Sequence, residues 1–170
     1  MNRTDTIALR VITYYAGHEP AGSQIMHTQS VAHLTKLIAT GEGMAANAVE
    51  LQEIAAWLHD IGCPPSRLKY GDSKPPHQEQ EGKLLVHEWL DENSDFTPQE
   101  VEWLADAVGG HHRLTQARRL HFRPLFEADL MVNLFEGYYP PRLAQKFIDS
   151  GAVSTQTGIK LFQELFNIVI

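Results

Sequence analysis

Apolar residues recur at spacings of three and four along most of the chain, which is typical of α-helices that bury one face. Alternating apolar and polar positions, which would indicate a strand, do not extend over a useful length. The pattern predicts helices over residues 4–16, 23–40, 47–60, 76–92, 98–112, 124–136, 140–150 and 154–166. We therefore expect an all-α fold, a single-domain helical bundle that spans residues 1–170.

Polar residues at the predicted helix starts support two of these boundaries. Thr97 and Glu100 have the spacing of a capping box, and Pro98 stands at the first helical position, where a missing N–H costs nothing. Asn47 and Glu50 have the same spacing and predict a second capped start. In helix 76–92, the predicted apolar anchors are Leu84, Leu85 and Trp89.

Two connections, 61–75 and 113–122, are rich in polar residues and are predicted to be loops. A loop as long as 61–75 inside a compact domain is more often functional than accidental. The alternative is a merely solvated loop. Its positive charge comes from Arg67, Lys69 and Lys74.

Histidines and one aspartate lie on the apolar faces of the predicted helices. His27 belongs to the apolar stripe of helix 23–40, and His111 and His112 continue the stripe of helix 98–112. Asp129 lies between apolar neighbours of helix 124–136, and a carboxylate in such a position is rarely left unpaired. His77 begins helix 76–92 and is either a further inward-facing residue or simply exposed.

The pair His59-Asp60 ends the most apolar part of helix 47–60. Such a pair is costly in a core unless a partner compensates it, and a divalent cation can bind both imidazole and carboxylate. Adjacent helical residues point about 100° apart, but Gly62 and the prolines at 64–65 end the helix, so that a distorted last turn can bring both inward. The alternative is a helix C-terminus in which His59 complements the helix dipole.

The net charge of the chain limits the classes of ligand that it is expected to bind. The chain has 14 basic and 21 acidic residues, a net charge of −7, and no strong basic stripe. This composition argues against binding of long nucleic acid, whereas a metal ion could supply the positive charge that a small phosphorylated ligand needs.

The single cysteine, Cys63, excludes an internal disulfide and fits a reducing compartment; we expect it to be a small buried residue. The chain has no apolar run of about 18 residues, and its N-terminus lacks the apolar region of a signal peptide. These features predict a cytoplasmic protein with no membrane partner. They leave the oligomeric state open.

Taken together, the inward-facing residues are imidazoles and carboxylates from separate helices, which is the composition of a metal site inside a helical bundle. Two histidines and two aspartates suit one octahedral ion with open positions. Three further histidines exceed what one such site can use and could hold a second ion, with Asp60 as the bridge. The first set is His27, His59, Asp60 and Asp129, and the additional histidines are His77, His111 and His112.

The order of these residues resembles the HD superfamily of metal-dependent phosphohydrolases. The resemblance covers about residues 23–135 and rests on His27, on the sequence His59-Asp60-Ile61-Gly62 and on Asp129 at the expected distance. It implies that the H…HD…D residues bind a divalent metal ion, and the expected cofactor of the whole protein is one or two transition metal ions (Fe, Mn, Co, Ni or Zn). The additional histidines resemble the dinuclear branch, which includes HD-GYP cyclic dinucleotide phosphodiesterases and diadenosine tetraphosphate hydrolases.

The chain departs from the family pattern in two places. Cys63 stands where many members have lysine and where the nucleoside monophosphate phosphatases use an acidic residue. No Gly-Tyr-Pro signature follows, which argues against a cyclic dinucleotide substrate.

These observations predict a metal-dependent phosphohydrolase, a phosphatase or a phosphodiesterase, that acts on a small phosphorylated or nucleotide-like metabolite. His59 and Asp60 are the predicted catalytic residues, and Asp60 would orient the attacking water or accept its proton. The alternatives are a di-iron oxygenase of the HD-like type and a non-catalytic module that senses a nucleotide. The predicted contacts to the phosphate are Arg67, Lys69, Lys74 and Arg113.

Overall fold

The computed structural model describes residues 1–168, and these residues form ten α-helices and no strand. The all-α prediction is therefore confirmed. Within the same residues, no helix combines the length and the apolar character that crossing a membrane requires. The helices are α1 (Arg3–Ala16), α2 (Ala21–Gly41), α3 (Ala46–Leu58), α4 (Cys63–Tyr70), α5 (Pro75–Leu90), α6 (Pro98–Val108), α7 (Leu114–Arg119), α8 (Arg123–Phe135), α9 (Leu143–Asp149) and α10 (Gln156–Phe166).

Helix α2 lies at the centre of the bundle and contacts α1, α3, α8 and α10. Helices α5 and α6 form an antiparallel pair that reaches the centre through contacts between α6 and α3. The core between these helices is aliphatic and aromatic, and Ile54 and Leu58 of α3 and Leu104 of α6 are fully buried in it. Burial of each such side chain contributes roughly 1.5–3 kcal/mol.

Of the two predicted helix caps, one is correct. Thr97 accepts a hydrogen bond from the Glu100 backbone N–H (3.2 Å), and Glu100 accepts one from the Thr97 backbone N–H (2.8 Å). The predicted cap at Asn47 is wrong, because α3 already begins at Ala46 and the capping position is Ala45. Asn47 is exposed in the first turn of α3.

The two predicted loops are also wrong, since 61–75 contains α4 and 113–122 contains α7. The prolines at 64–65 occupy the first turn of α4, where a missing N–H is tolerated, and Gly71 ends that helix with φ +76°. Helices of this length are marginal alone and depend on tertiary packing. Here α4 packs on α5, and α7 packs on α8.

Two of the three predicted anchors of α5 are correct, because Trp89 is buried and Leu85 packs against the core. Leu84 is 56% exposed, and Val86 and Leu90 are buried instead. The face of α5 that meets the bundle also carries the polar residues Gln78 and Glu79. This orientation of α5 brings Glu79 towards the histidines described below.

Candidate metal centre

Helices α2, α3 and α8 bring two histidines and two aspartates together. His27 Nε2 lies 3.3 Å from His59 Nε2. Asp60 Oδ2 lies 3.7 Å from His27 Nε2 and 3.6 Å from His59 Nε2. Asp129 Oδ1 lies 3.4 Å and 3.7 Å from the same two nitrogens. His27, His59 and Asp60 form a group that could hold a metal ion, and Asp129 flanks the two histidines of that group. We call these four residues the HD group.

The distances between the two histidine nitrogens, and from them to each carboxylate, fit a bound divalent cation. Ligand atoms about 2.1 Å from an ion are about 3.0 Å apart at neighbouring octahedral positions and about 3.4 Å apart in a tetrahedron. The distances in the HD group are at or slightly above these values. Imidazole and carboxylate together suit first-row transition metals.

Three buried histidines are oriented as metal ligands are. In each ring, Nδ1 faces a nearby acceptor, so that Nε2 is the nitrogen that points to the centre. The buried Nε2 atom of His111 has no hydrogen-bond partner among the residues that the structure describes. The Nδ1 distances are 2.7 Å from His59 to the Ala56 carbonyl oxygen, 2.8 Å from His111 to the Val108 carbonyl oxygen and 2.9 Å from His27 to Glu136 Oε2.

The charges of the HD group favour a cation. Burial raises the pKa of both carboxyl groups, but histidines outweigh it, so that the pKa of Asp60 lies well below its usual range and that of Asp129 is lowered. Burial lowers the pKa of His59 to about 4. For His27, hydrogen bonding to Asp129 and the charge of Asp60 outweigh burial and raise its pKa to about 9.

A second group of possible ligands lies beside the first and consists of Glu79, His111 and His112. Glu79 accepts a hydrogen bond from the His112 backbone N–H (3.2 Å), and its Oε1 lies 3.4 Å from His112 Nδ1, a buried atom without a hydrogen-bond partner. Asp60 connects the two groups, because its Oδ1 lies 3.6 Å from His111 Nε2 while its Oδ2 faces the HD group.

Gly62 explains how Asp60 and α5 come so close. The chain turns after α3 through a hydrogen bond from the Ile61 N–H to the Leu58 carbonyl oxygen (3.1 Å), and α5 crosses directly over this turn. A Cβ at Gly62 would collide with the Gln78 carbonyl oxygen. Only glycine therefore allows the approach that places Glu79 beside His111 and His112.

The structure does not bring His77 into either group. Its Nδ1 lies 2.7 Å from Asp72 Oδ1, and its ring stacks on Tyr70 with 4.1 Å between centroids. Cys63 is buried, as expected, and its thiol donates to Gln78 Oε1 (3.1 Å).

The four predicted phosphate contacts divide into two pairs. Arg67 lines a cavity on the α2 side of the centre, where its Nη2 lies 2.6 Å from Gln24 Oε1. Arg113 lines a second cavity, 3.5 Å from Glu79 Oε2. Within residues 1–168, the other two lie outside both cavities: Lys69 pairs with Glu81 (2.8 Å) and Lys74 with Asp72 (3.2 Å).

Three residues of the centre were not predicted from the sequence. Asn133 and Glu136 follow Asp129 at helical offsets of four and seven, which place them on the same face of α8. Asn133 donates to Asp129 Oδ1 (2.8 Å), and Glu136 holds His27. Glu79 shares offsets of three and seven with buried residues of α5, and an acidic residue on such a stripe is a detectable signal.

A model of one protein family, the HD domain, matches residues 25–142 of the chain. Because this match covers more than half of the chain, the protein belongs to the HD domain family, as predicted. The family indicates divalent metal binding and a metal-dependent hydrolase in general. It does not separate mononuclear from dinuclear members. No curated protein matches the chain, and no solved structure matches it.

Proposed function

We propose that this protein is a metal-dependent phosphohydrolase that acts on a small phosphorylated or nucleotide-like metabolite. The convergence of the HD group, with its imidazole Nε2 atoms and ionised carboxylates beside two open cavities, carries this proposal. Buried charges of this kind are costly without a counter-ion, and they lie where a ligand can reach them.

His27, His59, Asp60 and Asp129 would hold one cation, and Glu79, His111 and His112 would hold a second that shares Asp60. A divalent cation bound there would polarise a phosphoryl oxygen and lower the pKa of a water molecule. Asp60 orients the attacking water in this proposal, because its side chain is 17% exposed compared with 7% for Asp129 and 0% for His59. Arg67 and Arg113 supply positive charge on either side of the phosphate.

The proposed hydrolysis is tested with a panel of phosphomonoesters and phosphodiesters under reducing conditions. We expect turnover with manganese, cobalt, nickel or iron and little with calcium, which prefers oxygen ligands. Asp60→Asn should abolish turnover, and Asp149→Asn, an exposed carboxylate on α9, serves as the matched control. A panel that stays silent with every one of these metals would contradict the proposal and favour a nucleotide-sensing module.

The number of ions is tested by elemental analysis of protein purified without chelator. We expect two ions per chain, falling to one in His111→Ala and in Glu79→Ala, because each variant removes a ligand of the second group only. His77→Ala is the matched control, since its ring is engaged by Asp72 and Tyr70, and it should retain both ions. One ion in the wild type, unchanged in all three variants, would contradict the dinuclear site.

The position of Asp60 also supports a second candidate, a di-iron oxygenase. Its two oxygens face different histidines, as a carboxylate shared by two irons would. Iron as the metal retained through purification, with oxygen consumption and without phosphoester hydrolysis, would favour this candidate over hydrolysis.

A further inference from the structure

Two cavities meet at the metal centre. One has a volume of about 770 Å³ and the other about 700 Å³. Both are lined by Pro75, His112, Asp129 and Tyr139, so that together they form a groove that passes over the centre. Each volume falls within the range that is usual for a cleft that binds a drug-sized ligand, so each cavity is large enough for one organic group of a substrate.

The first cavity, which we call the α5 cavity, has an apolar wall. Its lining combines the apolar side chains of Pro76, Leu84, Phe126 and Leu130 with the polar or charged ones of Glu79, Gln80, Lys83, His87 and Arg113. Leu84 is more than half exposed, and its role as a cavity wall accounts for an apolar side chain at that position. Such a wall suits a flat apolar group such as an aromatic ring.

The second cavity, which we call the α2 cavity, is polar. Ser23, Gln24, Gln78 and Asn133 line it with hydroxyl and amide groups, and Arg67 adds a positive charge. Met26 lies at its edge, 61% exposed. These groups suit a hydroxylated or otherwise polar substituent, because each can donate or accept hydrogen bonds.

We infer that the substrate carries an organic group on each side of the reacting phosphorus, so that the enzyme is a phosphodiesterase rather than a phosphatase of monoesters. A flat apolar group would occupy the α5 cavity and a polar group the α2 cavity. A monoester has one organic substituent and would leave one of the two cavities to water. This inference rests on the proposed function and narrows its substrate class.

The reaction consumes one water per ester bond. The water oxygen forms a new bond to phosphorus, and the bond from phosphorus to one ester oxygen breaks. That ester oxygen leaves with a proton as an alcohol, and the other organic group remains on the product, a phosphomonoester.

Two chromogenic esters with the same leaving group test the inference. The diester is thymidine 5′-(p-nitrophenyl phosphate), and the monoester is p-nitrophenyl phosphate. With the metal that gives the highest activity, we expect kcat/KM for the diester to exceed that for the monoester at least about tenfold, because the diester alone fills both cavities.

Three variants sharpen the test by adding bulk at exposed apolar positions. Leu84→Trp narrows the α5 cavity, Met26→Trp narrows the edge of the α2 cavity, and Leu37→Trp on the outer face of α2 is the matched control. For the diester, each of the first two should lower kcat/KM about tenfold or more. For the monoester, only Leu84→Trp should lower kcat/KM to this extent. Leu37→Trp should change neither, and all three should retain wild-type metal content by elemental analysis.

The outcomes separate this inference from the proposed function. Turnover in which the monoester is preferred, or in which Met26→Trp leaves diester hydrolysis unchanged, overturns the inference and leaves the phosphohydrolase intact. Ser23→Trp repeats the block of the α2 cavity from a second position and must agree with Met26→Trp. Absence of turnover for both esters with every metal overturns the inference and the proposed function together.

Discussion

Two buried carboxylates of α8, Glu127 and Asp129, have opposite surroundings although they are two residues apart. At about 100° per residue, they point to nearly opposite sides of the helix. Glu127 is fully buried and accepts hydrogen bonds from the Ser154 N–H (3.0 Å) and from both the N–H (3.1 Å) and the hydroxyl of Thr155. Arg123 pairs with it at 3.2 Å. Fixed donors of the chain therefore neutralise its charge.

Among residues 1–168, Asp129 has a single neutral donor, the Asn133 side chain at 2.8 Å. Its other neighbours are the rings of His27 and His59 at 3.4 Å and 3.7 Å, which are potential metal ligands rather than fixed neutral donors. This difference distinguishes a structural carboxylate from one that is available to a metal ion. A buried carboxylate that the protein fully satisfies holds the fold together, and one that faces other potential ligands is available for a cation.

The largest expected effect on stability is that of Glu127→Ala. We expect the free energy of unfolding to fall by about 3–5 kcal/mol, because Arg123 and two backbone N–H groups lose a buried partner. Urea denaturation of the metal-free protein measures it. Glu164→Ala, an exposed residue of α10, should change stability by no more than about 0.5 kcal/mol. Equal effects of the two variants would contradict the structural role of Glu127.

Asp129→Asn should affect metal binding instead. We expect metal affinity to fall about 100-fold or more, because an amide is a poorer ligand than a carboxylate. The free energy of unfolding of the metal-free variant should lie within about 1 kcal/mol of the wild-type value, because the substitution also relieves the repulsion between Asp129 and Asp60. A competition titration against a chromogenic chelator measures the affinity. A variant that binds metal as well as the wild type would remove Asp129 from the ligand set.

Gly158→Ala tests the contact between α10 and the Glu127 carboxylate. A Cβ at this position of α10 would collide with Glu127 Oε2, so we expect a loss of about 1–3 kcal/mol in the free energy of unfolding. Gly22→Ala in α2 is the matched control, because its Cβ would meet no atom within 4 Å. That variant should be neutral or slightly stabilising. If Gly158→Ala leaves the free energy of unfolding unchanged, α10 does not pack closely against Glu127.

Metal binding should also depend on pH. The pKa of His27 is raised to about 9, so a proton occupies the ring at neutral pH and must leave when a metal binds. Metal affinity should therefore rise about tenfold per pH unit between pH 7 and 9 and level off above that. His59 adds nothing to this slope, because its pKa is about 4.

Glu136→Gln provides the control for this pH dependence. The Glu136 carboxylate contributes to the raised pKa of His27, and its removal should move the plateau to lower pH. The same chelator competition at constant ionic strength follows both proteins. A flat profile between pH 7 and 9 in the wild type would show that His27 is not protonated in the metal-free protein.

Helical periodicity alone determined much of this protein. It predicted the all-α fold, the capped start at Thr97 and the buried positions of His27 and Asp129, because each depends on a residue's place around its own helix axis. The pair His59-Asp60 could be found in the same way, since it interrupts an apolar run. Both the HD group and the family resemblance follow from these local patterns.

Tertiary structure alone decided how the helices turn towards one another. Glu79 joins His111 and His112 because α5 crosses the Gly62 turn at backbone contact, and no pattern within α5 specifies that crossing. His77, at the same helix start, instead pairs with Asp72. Likewise, α4 and α7 exist where loops were predicted, because helices of six to eight residues are stable only when neighbours pack on them. The same physical reason applies to Glu79, to His77 and to the two short helices. Periodicity describes how residues are arranged around the axis of one helix, whereas contacts between helices depend on how the helices are rotated and how they cross.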